Sequence, residues 1–105
     1  ACQAMGQPYV ASLDAIFLCP QGSFGTGPES AGYDLSGWNT GTTAGFEEYW
    51  GSGPDDVAFI RAAASKVLAD YAIAGNTAYA IGFSFGGDMV LRLSCEASDL
   101  FSGFG

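Results

Sequence analysis

Histidine is absent from all 105 residues of the chain, and basic residues are scarce. Imidazole is the side chain that most often accepts and returns a proton near neutral pH, so this chain alone cannot assemble histidine-based catalysis. Its three basic residues, Arg61, Lys66 and Arg92, stand against eleven acidic ones, which leaves a formal net charge of −8. Because phosphate groups would be repelled, that charge argues against a nucleic-acid partner or an anionic membrane surface.

Long apolar runs and cysteine motifs are also missing. No stretch approaches the roughly eighteen apolar residues of a membrane helix, and the start of the chain has no basic segment followed by an apolar one. We therefore expect neither a membrane span nor a signal peptide in the sequence. Cys2, Cys19 and Cys95 show neither a zinc-ligand spacing nor a C-x-x-C pair, so we expect no metal and no other cofactor. One disulfide bond among these cysteines is possible, and its pairing is not determined by the sequence. Cys95 is expected to pack on a helix as a small apolar residue.

The chain does contain enough apolar material for a packed core, since 49% of its residues are hydrophobic. Its length fits one domain or part of one. Residues Asp14 to Cys19 are apolar on both faces, which predicts a fully buried strand that Pro20 ends. Residues 21–53 form a long loop rich in glycine and aromatic residues, whose rings either pin it to the core or line a substrate cleft. Trp38 is the residue in it that we expect to face a pocket.

A helix is predicted after this loop, with Pro54 opening it and Asp55 and Asp56 capping its first turn. The apolar residues that follow recur at three- and four-residue steps, as on a helix that covers a sheet. A second apolar run, Ala78 to Ile81, predicts another buried strand. A strand, a helix and a strand in that order predict an α/β fold with a parallel pair and a right-handed crossover.

The most informative motif is Gly82-Phe83-Ser84-Phe85-Gly86, which fits the G-x-S-x-G pattern of a nucleophile elbow. A strand precedes it and helical spacing follows it, as that turn requires. In such an elbow Ser84 is the nucleophile, and the glycines two residues before and after it keep strand and helix close. The backbone amide of Phe85 would donate to the oxyanion. The alternative is that Gly82 to Gly87 is an ordinary glycine-rich turn.

Several ordered blocks around this motif resemble one enzyme family. The sequences of residues 55–60, 78–87, 91–96 and 98–101 are similar to the polyhydroxybutyrate depolymerase and feruloyl esterase group of α/β-hydrolases. Two earlier blocks, Phe17-Leu18-Cys19-Pro20-Gln21-Gly22 and Gly37-Trp38-Asn39, resemble the same group. The resemblance covers about nine-tenths of the chain. Asp88 departs from it, because similar sequences usually carry an apolar residue there, and so does the turn at Ala74 to Thr77.

The resemblance implies the parallel β-α-β portion of an α/β-hydrolase domain across residues 1–105, incomplete in extent. It also implies a secreted, extracellular esterase that acts on a feruloyl-polysaccharide or polyester ester through Ser84, an acid and a histidine. The second oxyanion donor, the acid and the histidine belong to segments that this sequence does not contain. In the family pattern the chain would begin after the oxyanion strand and stop where the next strand starts.

Three hypotheses therefore concern the function of the chain. We expect a serine ester hydrolase whose isolated 105-residue portion is essentially inactive, because no side chain in it can replace the missing base. The alternative is a non-catalytic chain that uses the same scaffold to bind an ester or a partner. A flavodoxin-like or nucleotide-binding domain is a third reading, but residues 82–87 lack both the G-x-G-x-x-G pattern and a lysine-bearing phosphate loop.

Overall fold

The computed structural model describes residues 13–24, 36–41 and 53–105. Within them the chain is a mixture of α-helix and β-strand. The helices are α1 (Asp56–Asp70) and α2 (Phe85–Glu96), with a short 3-10 helix at Ala74–Asn76. The strands are β1 (Ser23–Phe24), β2 (Ser36–Gly37), β3 (Tyr79–Ala80) and β4 (Gly103–Phe104). The strand β1 pairs with β2 in antiparallel fashion, so the segment expected to be only a loop contains a small ladder.

The strands β3 and β4 are parallel neighbours joined by α2. Their hydrogen bonds extend past the assigned strands, because the amide of Ser102 donates to Ala78 O at 2.7 Å and that of Gly82 donates to Gly105 O at 2.9 Å. A parallel β-α-β unit is therefore present, as the sequence predicts. The partner of the predicted strand is different, since it is β4 rather than the run at Asp14 to Cys19.

The strand predicted at Asp14 to Cys19 is wrong. Residues 14–22 have no strand conformation and their side chains are largely exposed, including Ile16 and Leu18 at 47% and 43%. A strand exists only where its backbone is paired, whereas the amide of Ala15 donates locally, to Leu13 O at 2.8 Å. Apolar composition was not enough to place the segment in the sheet.

The cysteines also differ from expectation. Cys19 is disulfide-bonded and does not end a strand. Cys95 lies on α2 as predicted, but its free thiol is exposed instead of packing in the core. A disulfide at Cys19 is typical of proteins that fold in an oxidising compartment.

The first helix begins two residues later than the proline signal suggests. Asp55 is the N-cap, and its Oδ1 accepts a hydrogen bond of 3.0 Å from the amide of Ala58. The predicted capping role is thus confirmed for Asp55, while Pro54 lies outside the helix. Asp56 occupies the first turn, where a carboxylate complements the helix dipole.

A single cluster of buried side chains joins both helices to β3. The cluster is formed by Val57, Ile60, Ala64, Ala80, Met89, Val90, Leu93, Ala97 and Phe101. Ala80 is the residue that β3 contributes, so one face of the sheet is covered by the helices. The strand neighbours of Ala80, Tyr79 and Ile81, are 69% and 74% exposed, because alternating side chains point to opposite faces.

Polar contacts tie α1 to the turn after α2. Both terminal nitrogens of Arg61 donate to the carboxylate of Asp99 at 2.6 Å, and Arg61 Nη1 also reaches the carbonyl of Glu96 at 3.4 Å. Hydrogen bonding to the guanidinium lowers the pKa of Asp99 below its usual value. In the described residues, neither helix has the length and hydrophobicity needed to cross a membrane.

Candidate active site

Ser84 lies at the corner between β3 and α2, in a backbone conformation that L-residues rarely adopt. Its φ is 53° and its ψ is −123°. The corner is closed by a hydrogen bond of 2.9 Å from the amide of Gly86 to Phe83 O. These values match the first central residue of a type II′ turn, a position that glycine usually occupies. A serine held there carries strain of about 1–3 kcal/mol.

The two motif glycines have different reasons to be present. A Cβ atom on Gly82 would overlap the carbonyl oxygen of Gly86 and lie 2.8 Å from the amide nitrogen of Gly87. The strand therefore approaches the helix closely enough to require glycine at position 82, as predicted. A Cβ on Gly86 would meet no atom of the described residues within 4 Å outside its own helix. The described residues therefore give no reason for position 86 to be small, in contrast to position 82.

The serine side chain is not used to stabilise the helix. Ser84 is the N-cap residue of α2 and is exposed, but its hydroxyl makes no capping hydrogen bond. The amides of Gly87 and Asp88 instead donate to the carbonyl of Ser84, at 2.8 and 3.3 Å. Serine is common at N-caps because its side-chain oxygen accepts hydrogen bonds from the helix amides. Ser84 makes no such bond, so helix capping does not explain the serine at this position.

Phe85 is the first residue of α2, directly after the corner. Its amide therefore lies at the positive end of the helix dipole and next to the serine. That is the place where an oxyanion donor is expected in an elbow.

Comparisons with protein-family models, with curated proteins and with solved structures found no match for this chain.

Lys66 is the lysine of the chain, and its position does not suit it to act as the base for Ser84. Lys66 lies in the middle of α1 with its side chain 76% exposed, and its Nζ is paired with Asp70 at 2.7 Å. Asp88 is exposed in the first turn of α2, so its charge is solvated and complements the helix dipole. Among residues 13–24, 36–41 and 53–105, no three histidine, cysteine or acidic side chains come together as a metal site would require.

The described residues show one side of the surroundings of Trp38, and whether it also faces a pocket stays a prediction. Its ring is half-buried and packs against the core cluster, and a Cβ on Gly22 would lie 3.2 Å from it. This packing agrees with the reading in which aromatic residues pin the segment to the core. Most of the other rings of the 21–53 segment lie outside the described residues.

The residue after Trp38 is the centre of a polar network that sequence reasoning missed. The amide of Asn39 donates to Asp56 Oδ2 at 2.6 Å, and its carbonyl accepts from Arg92 Nη1 at 2.6 Å. Asp56 is 4% exposed, so its carboxylate is buried with this partner rather than serving only as a first-turn charge. Arg92 is also paired with Glu96, Nε to Oε1, at 2.8 Å. No local pattern signals this network, because Asn39 and Arg92 are 53 residues apart.

Proposed function

We propose that this chain carries the nucleophile elbow of a serine carboxylic-ester hydrolase with an α/β-hydrolase fold. Ser84 is the nucleophile, and the backbone amide of Phe85 is one donor of the oxyanion hole. The observation that carries the proposal is the φ of 53° at an exposed residue other than glycine, whose side chain makes no capping hydrogen bond. Backbone strain of this kind persists where function requires it, and a glycine would remove it.

The packing of the sheet supports the same fold. The parallel β3–α2–β4 unit has helices on the face of Ala80, while Tyr79 and Ile81 are exposed on the other face. Parallel sheets are ordinarily covered by helices on both faces. An α/β-hydrolase domain that supplies a second layer would bury these two side chains.

The reaction follows from the chemistry of a serine hydroxyl. Ser84 Oγ attacks the ester carbonyl, its proton passes to a base, and the negative oxygen that forms accepts hydrogen bonds from backbone amides such as that of Phe85. Because the chain has no histidine, a histidine base for Ser84 would have to be supplied from outside these 105 residues. Loss of the base from such a triad costs on the order of a millionfold in turnover, so the isolated chain is essentially inactive.

The substrate class is proposed from the sequence resemblance. It is a feruloyl-polysaccharide ester or a polyester, and the setting is extracellular. The disulfide at Cys19 supports this setting, since such bonds persist in oxidising compartments. The formal charge of −8 supports an uncharged ester over a phosphorylated substrate.

A fluorophosphonate probe tests the proposal in the gene product that carries residues 1–105. Ser84 Oγ forms a bond to phosphorus, fluoride leaves, and the serine proton goes to the base. We expect the label on the peptide that contains Ser84, with none in Ser84→Ala. Ser98→Ala, which alters another exposed serine, is the matched control and keeps full labelling. Labelling that persists in Ser84→Ala would refute the assignment.

The non-catalytic alternative is favoured by one observation, the absence of histidine. It predicts that the gene product binds an aryl ester without hydrolysing it. It also predicts that the fluorophosphonate probe does not label Ser84. Hydrolysis that disappears in Ser84→Ala would exclude it.

A further inference from the structure

We propose that Asn39 is a positioning residue of the Ser84 site, which it serves by tying the start of α1 to the elbow helix α2. This inference rests on the proposed function. The contact between Asn39 and α2 is made through Arg92, and the contact with α1 is made through Asp56.

The contacts of Asn39 reach three parts of the chain. Its backbone amide donates to Asp56 Oδ2 at 2.6 Å, and its side-chain nitrogen donates to the carbonyl of Pro54 at 3.1 Å. Its backbone oxygen and its Oδ1 both accept from Arg92 Nη1, at 2.6 and 3.1 Å. Oδ1 also accepts from the amide of Gly41 at 3.3 Å. A single asparagine therefore joins segment 36–41, the start of α1 and the middle of α2.

The chemistry of the side chain explains why asparagine is suited to this position. The carboxamide accepts from Arg92 and Gly41 on one atom and donates to Pro54 on the other. Aspartate accepts but does not donate, and leucine, of similar shape, does neither. The contact also lies partly out of water, where charge-assisted bonds such as the one from Arg92 are strongest.

The location of these bonds links them to the elbow. Arg92 follows Ser84 by about two helical turns on α2. The tie through Asn39 thus fixes the elbow helix against the start of α1 at a point about two turns along α2 from Ser84. A displacement of about 1 Å at a nucleophile can slow a reaction as much as a hundredfold.

The test is the rate constant of fluorophosphonate labelling at Ser84 in the gene product that carries this chain. Asn39→Ala changes no charge and is expected to slow the labelling step roughly tenfold to a hundredfold. Arg92→Gln removes the same tie from the other side and is the second variant should Asn39→Ala fail to fold. Arg61→Gln is the matched control, because it breaks a bidentate pair between α1 and the turn after α2, at the far end of that helix from Ser84.

Three outcomes separate the inference from the proposed function. The inference is supported if Asn39→Ala and Arg92→Gln are labelled more slowly than the wild-type protein while Arg61→Gln is labelled at the wild-type rate. For this comparison the thermal stability of Arg61→Gln should be lowered to an extent similar to that of the other two variants. Equal labelling rates in folded Asn39→Ala and Arg61→Gln overturn the positioning role and leave the proposed function standing. Absence of labelling at Ser84 in the wild-type protein overturns the proposed function, and the inference with it.

Discussion

Two apolar runs in this chain are alike in sequence but differ in structure. Asp14 to Cys19 and Ala78 to Ile81 are both short and apolar on both faces, and each is followed by a residue that breaks regular structure. The second run contains β3, whose Ala80 is buried against two helices. The first has no strand conformation, and most of its side chains are exposed.

The difference shows that a strand depends on pairing and cover rather than on composition. The second run has β4 beside it through the amides of Ser102 and Gly105, and α1 and α2 on one face. For the first run, the described residues include no neighbouring strand. Hydrophobic burial stabilises a side chain only where other elements exclude water from it.

The largest effect that we predict is at the corner that ends the second run. Gly82→Ala would place a Cβ against the carbonyl of Gly86, and because backbone on both sides must move, we expect a loss of more than about 3 kcal/mol in the free energy of unfolding. Chemical denaturation followed by circular dichroism measures it. Gly86→Ala is the matched control and changes stability by less than about 1 kcal/mol, since a Cβ there meets open space. Equal losses in the two variants would mean that strand and helix are not in close contact at position 82.

The next prediction compares leucines that belong to the two regions. Leu93 on α2 packs in the cluster that covers β3 and is 2% exposed, whereas Leu18 in the first run is 43% exposed. Leu93→Ala is expected to lower the free energy of unfolding by about 2–4 kcal/mol, through lost burial and the cavity left behind. Leu18→Ala is expected to cost less than about 1 kcal/mol. A loss at Leu18 as large as that at Leu93 would show that the first run is buried in solution.

The parts of the structure that sequence predicts are the local ones. The strand, corner and helix from Ala78 to Glu96 follow from an apolar run, a glycine and a spacing of three to four residues, all within about 20 positions. The cap at Asp55 is equally local. Its Oδ1 bonds to an amide three residues away.

The parts that sequence misses depend on distant partners. The strand β4 is only Gly103–Phe104 and gains its place by pairing with β3, which no pattern within it indicates. The bond from Arg92 to Asn39 spans 53 positions and joins residue types that are ordinary on a surface. The strain at Ser84 is intermediate, because the motif predicts a sharp corner but the structure provides the dihedral angles.

The smallest predicted effect concerns the backbone strain at Ser84, in the corner that follows the second run. The first run has no residue with a positive φ. Ser84→Ala and Ser84→Gly both remove the hydroxyl, but only glycine accepts a φ of 53° with a ψ of −123° at no steric cost. Relief of about 1–3 kcal/mol of strain, offset by the greater backbone entropy of glycine, should leave Ser84→Gly about 1 kcal/mol more stable than Ser84→Ala in urea denaturation. Asn76→Gly is the control, because Asn76 has a φ of 51° but asparagine tolerates positive φ, so its gain over wild type should be smaller. If Ser84→Gly is no more stable than Ser84→Ala, the corner is relaxed, and the serine has no more claim to a catalytic role than any exposed hydroxyl.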